Sequence, residues 1–184
     1  KLGVPVFNTP GANANAVKEL VVAGLFLAAR NIVDAAAFAH RLEGDHATMD
    51  KLVEAGKKNY VGFELPGRTL GVIGLGAIGV EVANVALSLG MNVLGYDPGI
   101  TVQHAWALSS QVEHVTDLDE LLKRSDIVTL HVQLVAGTKG LIGASQFQAM
   151  KSSAVLLNFA RGPIVDEPAL IEALEAGQLR GYVC

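Results

Sequence analysis

Three glycines, Gly74, Gly76 and Gly79, lie in the segment LGVIGLGAIGVEVA, residues 70–83. The apolar residues before the first glycine have the composition of a buried strand, and a helical pattern begins at about Ala77 and continues to Leu89. A strand that runs into a helix through the spacing G-x-G-x-x-G is typical of a turn that binds phosphate. Taken alone, the spacing also fits a glycine-rich bend between a strand and a helix.

An acidic residue at the end of the next apolar run favours the phosphate-binding interpretation. Asn92–Tyr96 has the composition of a second strand, and Asp97 follows it directly, 18 residues after Gly79. A carboxylate at about that distance accepts hydrogen bonds from the ribose hydroxyls of a bound dinucleotide. No Lys or Arg occurs from residue 98 to residue 111 to bind a 2′-phosphate, so the sequence favours NAD over NADP. The alternative role of Asp97 is that of a turn residue before Pro98-Gly99.

Each position of this fingerprint has a separate predicted task. Gly74 makes the tight turn, Gly76 lets the pyrophosphate approach the backbone, and Gly79 lets the helix pack close to the strand. The backbone amides of Ala77 and Ile78 would face the phosphates at the positive end of the helix.

Continuous apolar runs alternate with helical segments along the rest of the chain, as at Ile127–Leu130 and Ala154–Phe159. Such runs indicate strands that are buried on both faces, hence a parallel sheet covered by helices. The sequence therefore predicts an α/β fold, a Rossmann-like doubly wound parallel sheet over residues 68–184. The region between residues 97 and 116 reads as less regular.

Residues 1–67 have a different pattern. We expect a short lead-in strand at Val4–Asn8, and then a helix from Asn15 to about Asn31. This helix is apolar nearly all round, which predicts burial on several sides. The more polar residues 31–65 indicate an arm of one or two helices. The chain starts at Lys1 without a methionine and stops in the strand-like RGYVC, so we expect it to be part of a longer protein.

Composition excludes several classes of function. The net charge of −4 gives no electrostatic footprint for nucleic acid or for an anionic membrane. The single cysteine, Cys184, excludes an internal disulfide and a cysteine-based zinc site, and it favours the reducing cytoplasm. The longest apolar run, Leu20–Ala29, is too short to span a bilayer. Histidines and acidic residues lack the spacing of metal ligands, so we predict no metal.

Two residues that follow predicted strands are candidates for the chemistry. Arg161 comes just after the strand AVLLNF, at the edge where parallel sheets bind ligands, and its guanidinium can bind a carboxylate bidentately and polarise a carbonyl. A surface salt bridge is the alternative. His131 follows Ile127–Leu130, but a general acid must also reach the substrate oxygen. We favour a histidine that shapes the cofactor pocket and hydrogen-bonds the backbone. Asp166, before Glu167-Pro168, is predicted to cap a helix.

Five motifs in a fixed order carry a family resemblance: VFNTPGANANAVKEL, GVIGLGAIG, YDP, LHVQLVAGTKGLIG and LLNFARGPIVDEPALIEAL. Together they resemble the D-isomer-specific 2-hydroxyacid dehydrogenases over essentially all 184 residues. Members of that family insert a nucleotide-binding domain into a substrate domain, and this chain resembles the inserted domain together with the arm through which members form dimers. The sequence departs from the family at Gln133, where proline is common, and near Ala136, where an acidic or polar residue is common.

The resemblance implies that NAD is the cofactor, that a small 2-hydroxy or 2-oxo acid is the substrate, and that the protein is a homodimer or homotetramer. Arg161 matches the family's catalytic arginine, whereas the acid/base histidine and the glutamate that orients it are expected beyond Cys184. His131 matches a family position that is not the acid/base. With the fingerprint, the resemblance implies a cofactor site formed by Gly74, Gly76, Ala77, Ile78, Gly79, Asp97, His131, Val132, Phe159, Ala160 and Arg161.

The likeness is greatest to family members that oxidise 3-phospho-D-glycerate to 3-phosphohydroxypyruvate in L-serine biosynthesis. One alternative is another D-2-hydroxyacid dehydrogenase, acting on D-lactate or on glyoxylate and hydroxypyruvate. A second is a non-catalytic, NAD-sensing corepressor with the same fold. Arg161 does not separate these classes, because such corepressors can retain it, but the brevity of the arm favours the enzyme.

Overall fold

One parallel sheet organises the molecule. The computed structural model describes residues 11–184, together with residues 5, 7 and 9. The strands are β1 (Thr69–Ile73), β2 (Asn92–Tyr96), β3 (Glu113–His114), β4 (Ile127–Leu130), β5 (Val155–Leu157) and β6 (Gly181–Val183). They pair in the order β3-β2-β1-β4-β5-β6, and every pairing is parallel. This order reverses direction between β1 and β4, so the crevice at the carboxyl ends of these two strands is the expected place for a ligand.

Helices cover both faces of the sheet. The helices are α1 (Ala14–Arg30), α2 (Ile32–His40), α3 (His46–Gly56), α4 (Ala77–Ser88), α5 (Val102–Ala107), α6 (Leu118–Arg124), α7 (Ala144–Ala149) and α8 (Glu167–Glu175), with short 3-10 turns at Lys57–Tyr60 and Gly162–Ile164. Residues of α1 and α4 form one apolar cluster with one face of the sheet. Residues of α6, α7 and α8 form a second cluster with the other face. The doubly wound α/β fold predicted from the sequence is confirmed.

Side chains along each strand alternate between the two covered faces of the sheet, which explains why the strand sequences are largely apolar. In β5, Val155 and Leu157 pack in the cluster with α1 and α4, whereas Leu156 packs in the cluster with α6, α7 and α8. Because successive side chains point to opposite faces and both faces are covered, most positions in these strands are apolar. The predicted bounds of Asn92–Tyr96 and Ile127–Leu130 are accordingly confirmed.

Helix α1 is buried less completely than its composition predicts. Val21 and Leu25 are fully buried, but Leu20 is 56% exposed and Phe26 is 41% exposed. The buried side packs closely, since a Cβ at Gly24 would lie 2.9 Å from the side chains of Leu157 and Phe159. The prediction of burial on several sides is therefore wrong for this chain by itself. The helix covers the sheet with one face and presents apolar side chains to solvent on another.

Three local predictions either differ from the structure or fall largely outside the described residues. The region between residues 97 and 116 contains α5 and β3, which the sequence did not indicate. The predicted strand Ala154–Phe159 is shorter at both ends, as β5. The lead-in strand predicted at Val4–Asn8 falls on a stretch in which only Pro5 and Phe7 belong to the described residues.

The first two helices were compared with the length and composition of a membrane span. Among the described residues, no single helix has both the length and the apolar character needed to cross a bilayer. Helices α1 and α2 meet these criteria only as a pair, and they are bent by 65° at their junction.

Candidate functional site

The turn after β1 is shaped by the absence of a side chain at Gly74. Its φ of +93° is in the left-handed region, where a Cβ is strained. A Cβ at this position would also lie 2.8 Å from the carbonyl carbon of His131 and from the nitrogen of Val132. The Gly74 N–H donates to the carbonyl oxygen of Tyr96 at 2.9 Å. Gly74 thus lets the chain turn between the ends of β2 and β4.

The other two glycines of the fingerprint have opposite surroundings. A Cβ at Gly79 would meet the carbonyl oxygen of Gly74 at 1.9 Å, so only glycine lets α4 begin this close to the strand. Among the residues that the structure describes, no atom lies within 4 Å of a Cβ placed at Gly76. Gly76 is the N-cap of the twelve-residue helix α4, and the first N–H groups of a helix have no partner within it. The open space lies where the fingerprint places a pyrophosphate, so these residues fit a dinucleotide.

Asp97 connects the glycine turn to the end of β2. One oxygen of its carboxylate, Oδ2, accepts the Leu75 N–H at 2.8 Å, and the other, Oδ1, accepts the Gly99 N–H at 2.8 Å. The second bond is the local turn interaction that the sequence analysis considered as the alternative role. The first spans 22 positions of the chain and reaches the fingerprint itself. The two interpretations are therefore compatible, since each carboxylate oxygen has a further lone pair for a ribose hydroxyl.

His131 is held at the end of β4 by a side chain that the sequence analysis did not consider. Its ring atom Nε2 lies 2.9 Å from Oγ1 of Thr129, which is fully buried. His131 hydrogen-bonds the backbone through its own N–H, which donates to the carbonyl oxygen of Ile73 at 2.8 Å. Burial lowers the pKa of the imidazole to about 4, so the ring is neutral near pH 7. A neutral ring locked in place suits a wall of a pocket better than a proton donor.

We expect the stability of the chain to fall below pH 6.5 in part because of His131. The unfolded ring has an ordinary pKa of about 6.5, and the folded ring has a pKa of about 4, so between these values only the unfolded state binds the proton. The contribution is complete above pH 6.5 and is lost toward pH 4, by about 1–3 kcal/mol. Urea unfolding of the wild type and of His131→Asn at pH 7 and pH 4.5 measures it. Equal losses in both proteins would contradict the prediction.

Arg161 is exposed at the end of the loop that follows β5. Its Nη1 donates to the carbonyl oxygen of the neighbouring Ala160 at 2.8 Å. None of the ion pairs among the described residues includes Arg161, which argues against the surface salt bridge considered from the sequence. Nearby Asp166 caps α8 by accepting the Ala169 N–H, as predicted. The guanidinium of Arg161 is thus available at the ligand edge of the sheet.

The remaining predicted cofactor residues follow the same strand ends. Ala77 and Ile78 occupy the first turn of α4 and are half-buried, as is Val132 after β4. The Phe159 ring is half-buried and packs in the apolar cluster that contains α1. In the part of the chain described here, no group of three or more histidine, cysteine or acidic side chains could hold a metal ion.

Two polar residues with a place in the site had no predicted role. Thr129 is fully buried within β4, and Asn158 is only 6% exposed just after β5. Each interrupts an apolar run that is buried on both faces, and buried polar groups are almost always hydrogen-bonded. That interruption was the available sequence signal. In the structure Thr129 binds the His131 ring, and Asn158 binds the loop that carries Arg161.

Comparison with known proteins gives consistent matches. The profile of the family described as D-isomer specific 2-hydroxyacid dehydrogenase, NAD binding domain, matches residues 23–184. The D-3-phosphoglycerate dehydrogenase of Methanocaldococcus jannaschii is 44% identical over 97% of this chain and 32% of its own length. The enzyme of that name from Escherichia coli is 41% identical over 98% of this chain and 40% of its own length. The chain thus spans about a third of the length of these curated relatives.

Solved structures show the same architecture. The apo form of D-mandelate dehydrogenase from Rhodotorula graminis matches with a TM-score of 0.82 and 33% identity, over 98% of this chain and 51% of that one. The NAD complex of a D-isomer specific 2-hydroxyacid dehydrogenase from Lactobacillus delbrueckii ssp. bulgaricus matches with a TM-score of 0.73 and 34% identity, over 97% of this chain and 49% of that one.

Proposed function

This chain belongs to the D-isomer specific 2-hydroxyacid dehydrogenase family through its NAD binding domain, and we propose that the protein containing it transfers a hydride between NAD and a D-2-hydroxy acid. The observation that carries the proposal is the open space at Gly76, in front of α4, beside an acid that is bonded to the same turn. The proposed reaction is oxidation of 3-phospho-D-glycerate to 3-phosphohydroxypyruvate in L-serine biosynthesis. That choice is supported by the names of relatives 41–44% identical to this chain.

In the proposed cofactor site, the two ends of the dinucleotide meet different strands. The N–H groups of Ala77 and Ile78 would bind the pyrophosphate at the start of α4. Asp97 would accept the adenosine ribose hydroxyls while its bonds to Leu75 and Gly99 hold the turn in place. Its negative charge would repel a 2′-phosphate. The backbone near Val132 and Phe159–Ala160 would line the nicotinamide side.

In the proposed substrate site, Arg161 would bind the carboxylate of the 2-oxo acid and polarise its C2 carbonyl. The guanidinium would then exchange its bond to the Ala160 carbonyl for bonds to the substrate. Bound NAD would supply the hydride acceptor in the oxidation and the hydride donor in the reverse reaction. The proton at the C2 oxygen would move to a histidine that belongs to the substrate domain, outside these 184 residues.

One observation favours a second candidate function, that of a D-2-hydroxyacid dehydrogenase with another substrate. The glyoxylate reductase of Thermofilum pendens is 36% identical over 98% of this chain. In the proposed protein, the groups that recognise a substrate phosphate would belong to the substrate domain, so these residues do not separate the two substrates. The NAD-sensing corepressor is also kept as an alternative.

The proposed assembly is a homodimer or homotetramer formed through α1 and the arm, α2 and α3. The apolar residues that this chain leaves exposed there are Leu20, Phe26, Leu27, Ile32, Val33, Leu52 and Val53. Apolar surface of this extent is typical of a contact between subunits. Light scattering on the whole protein would give the number of subunits.

Two measurements test the proposal. Calorimetry on residues 1–184 should show binding of NAD and much weaker binding of NADP, and an assay of the same chain should show no turnover, because the acid/base histidine is outside it. The whole protein should oxidise NADH with 3-phosphohydroxypyruvate and do so far faster than with glyoxylate or pyruvate. Robust turnover by residues 1–184 alone, or binding without turnover of any 2-oxo acid by the whole protein, would overturn the assignment.

A further inference from the structure

The side chain of Asn158 closes the loop that carries Arg161 into a ring. Its Oδ1 accepts the Ala160 N–H at 3.1 Å, and its Nδ2 donates to the carbonyl oxygen of Arg161 at 3.0 Å. Its own backbone N–H donates to the carbonyl of Val183 in β6 at 2.9 Å, which extends the ladder between β5 and β6 by one step. Both the oxygen and the nitrogen of the amide are therefore hydrogen-bonded, and they connect the residue that follows β5 to the loop.

The surroundings of this amide restrict its movement. Asn158 is only 6% exposed. The phenol of Tyr182 in β6 contacts the Asn158 side chain; burial raises the pKa of that phenol, and the contact with Asn158 lowers it, with burial the larger effect. Tyr182 is half-buried, and its phenol lies beside the amide. A buried amide with all of its polar atoms engaged is costly to move.

The backbone just after the loop is held by hydrogen bonds from another segment. The Gly140 N–H donates to the carbonyl oxygen of Pro163 at 2.9 Å, and the Ile142 N–H donates to that of Ile164 at 3.2 Å. Beyond β5, the carbonyl oxygen of Arg161 accepts a second hydrogen bond, from the Ile164 N–H at 3.2 Å, within the following 3-10 turn. Among the described residues, the Arg161 side chain bonds to the carbonyl oxygen of Ala160, which belongs to the same loop. The Asn158 side chain therefore ties the start of the loop, at Ala160 and Arg161, to the end of β5.

We propose that Asn158 is a positioning residue for Arg161, which fixes the backbone from which the guanidinium projects toward the substrate. This inference rests on the proposed function, in which Arg161 binds the 2-oxo acid. A displacement of a catalytic group by about 1 Å can lower a rate by about a hundredfold. An amide is required, because the same side chain must accept from one backbone group and donate to another. Aspartate would lose the donor and bring a charge next to the Arg161 carbonyl.

A double-mutant cycle on the whole protein tests this inference. The four proteins are the wild type, Asn158→Ala, Arg161→Ala and the double variant, assayed with NADH and 3-phosphohydroxypyruvate at enzyme concentrations that allow residual rates to be measured. We expect Asn158→Ala to lower kcat/KM for the 2-oxo acid by about 10–100-fold and to change the KM for NADH by less than about threefold. In the Arg161→Ala background, the same change should cost less than about twofold, because the group that it positions is already absent.

Each other outcome has a defined meaning. Equal losses in both backgrounds, or a parallel loss of NADH affinity, would show a merely structural role and overturn the inference. Full activity of Asn158→Ala would do the same. Full activity of Arg161→Ala would instead overturn the proposed substrate site. If Asn158→Ala does not fold, Asn158→Ser replaces it, since a serine hydroxyl can accept the Ala160 N–H but not reach the Arg161 carbonyl; the same non-additivity is expected.

Discussion

Replacing Arg161 by alanine in the whole protein is expected to lower kcat/KM for the 2-oxo acid by about 10²–10⁴-fold. A bidentate pair between a guanidinium and a carboxylate contains two charge-assisted hydrogen bonds, each worth about 1.5–3 kcal/mol. Their loss amounts to about 3–6 kcal/mol, and each 1.36 kcal/mol is a factor of ten in rate. Steady-state kinetics with NADH and the 2-oxo acid, each varied in turn, measures the effect.

The same substitution should leave the fold and the cofactor site nearly unchanged. Arg161 is exposed, and within the described part of the chain its side chain bonds only to the adjacent Ala160 carbonyl. The contacts proposed for NAD in this loop involve backbone atoms, which alanine retains. We therefore expect the same melting temperature and an NAD affinity within about threefold of wild type. Arg161→Lys is the matched control: it keeps the charge but not the planar fork, and should retain part of the activity. Full activity of the alanine variant would remove Arg161 from the reaction.

Most of the fold could be predicted because burial on both faces leaves a clear sequence signal. The strands Asn92–Tyr96 and Ile127–Leu130 have the bounds predicted from the sequence, since a central parallel strand is buried on both faces and is therefore mostly apolar. Helix α5 and strand β3 were missed for the converse reason. They are six and two residues long, and neither contains a buried residue, so no apolar periodicity marks them.

The candidate site could be predicted only at positions where the local geometry requires one particular residue type. Gly74 and Gly79 are required by local backbone geometry, and the spacing of the three glycines is visible in the sequence. The bond from Leu75 to Asp97 is not visible, because its donor is a backbone group that any residue would supply. The pair of Thr129 and His131 depends on strand geometry, in which residues two positions apart share a face. Such contacts become apparent only once the strand ends are brought together.

Gly79→Ala and Gly76→Ala should separate two reasons for glycine in this turn. We expect glycine at position 79 to be needed for folding and glycine at position 76 to be needed for ligand binding. A methyl group at Gly79 would meet the backbone oxygen of Gly74 at 1.9 Å, and neither backbone segment can yield without moving α4 from the strand. We expect a loss of about 3 kcal/mol or more in the free energy of unfolding, beyond the usual range for overpacking, and with it loss of NAD binding. Urea unfolding and calorimetry on residues 1–184 measure both.

Gly76→Ala is the matched control for that prediction, because the added methyl group is the same and its surroundings differ. No atom of residues 11–184 lies within 4 Å of a Cβ at Gly76, and its φ of −76° is accessible to alanine. Stability should therefore change by less than about 1 kcal/mol, the cost of alanine at an N-cap. The methyl group would nevertheless occupy the space in front of α4, and the Kd for NAD should rise at least tenfold. An unchanged Kd with an intact fold would mean that the phosphates do not bind in this space, whatever the spacing of the glycines indicates.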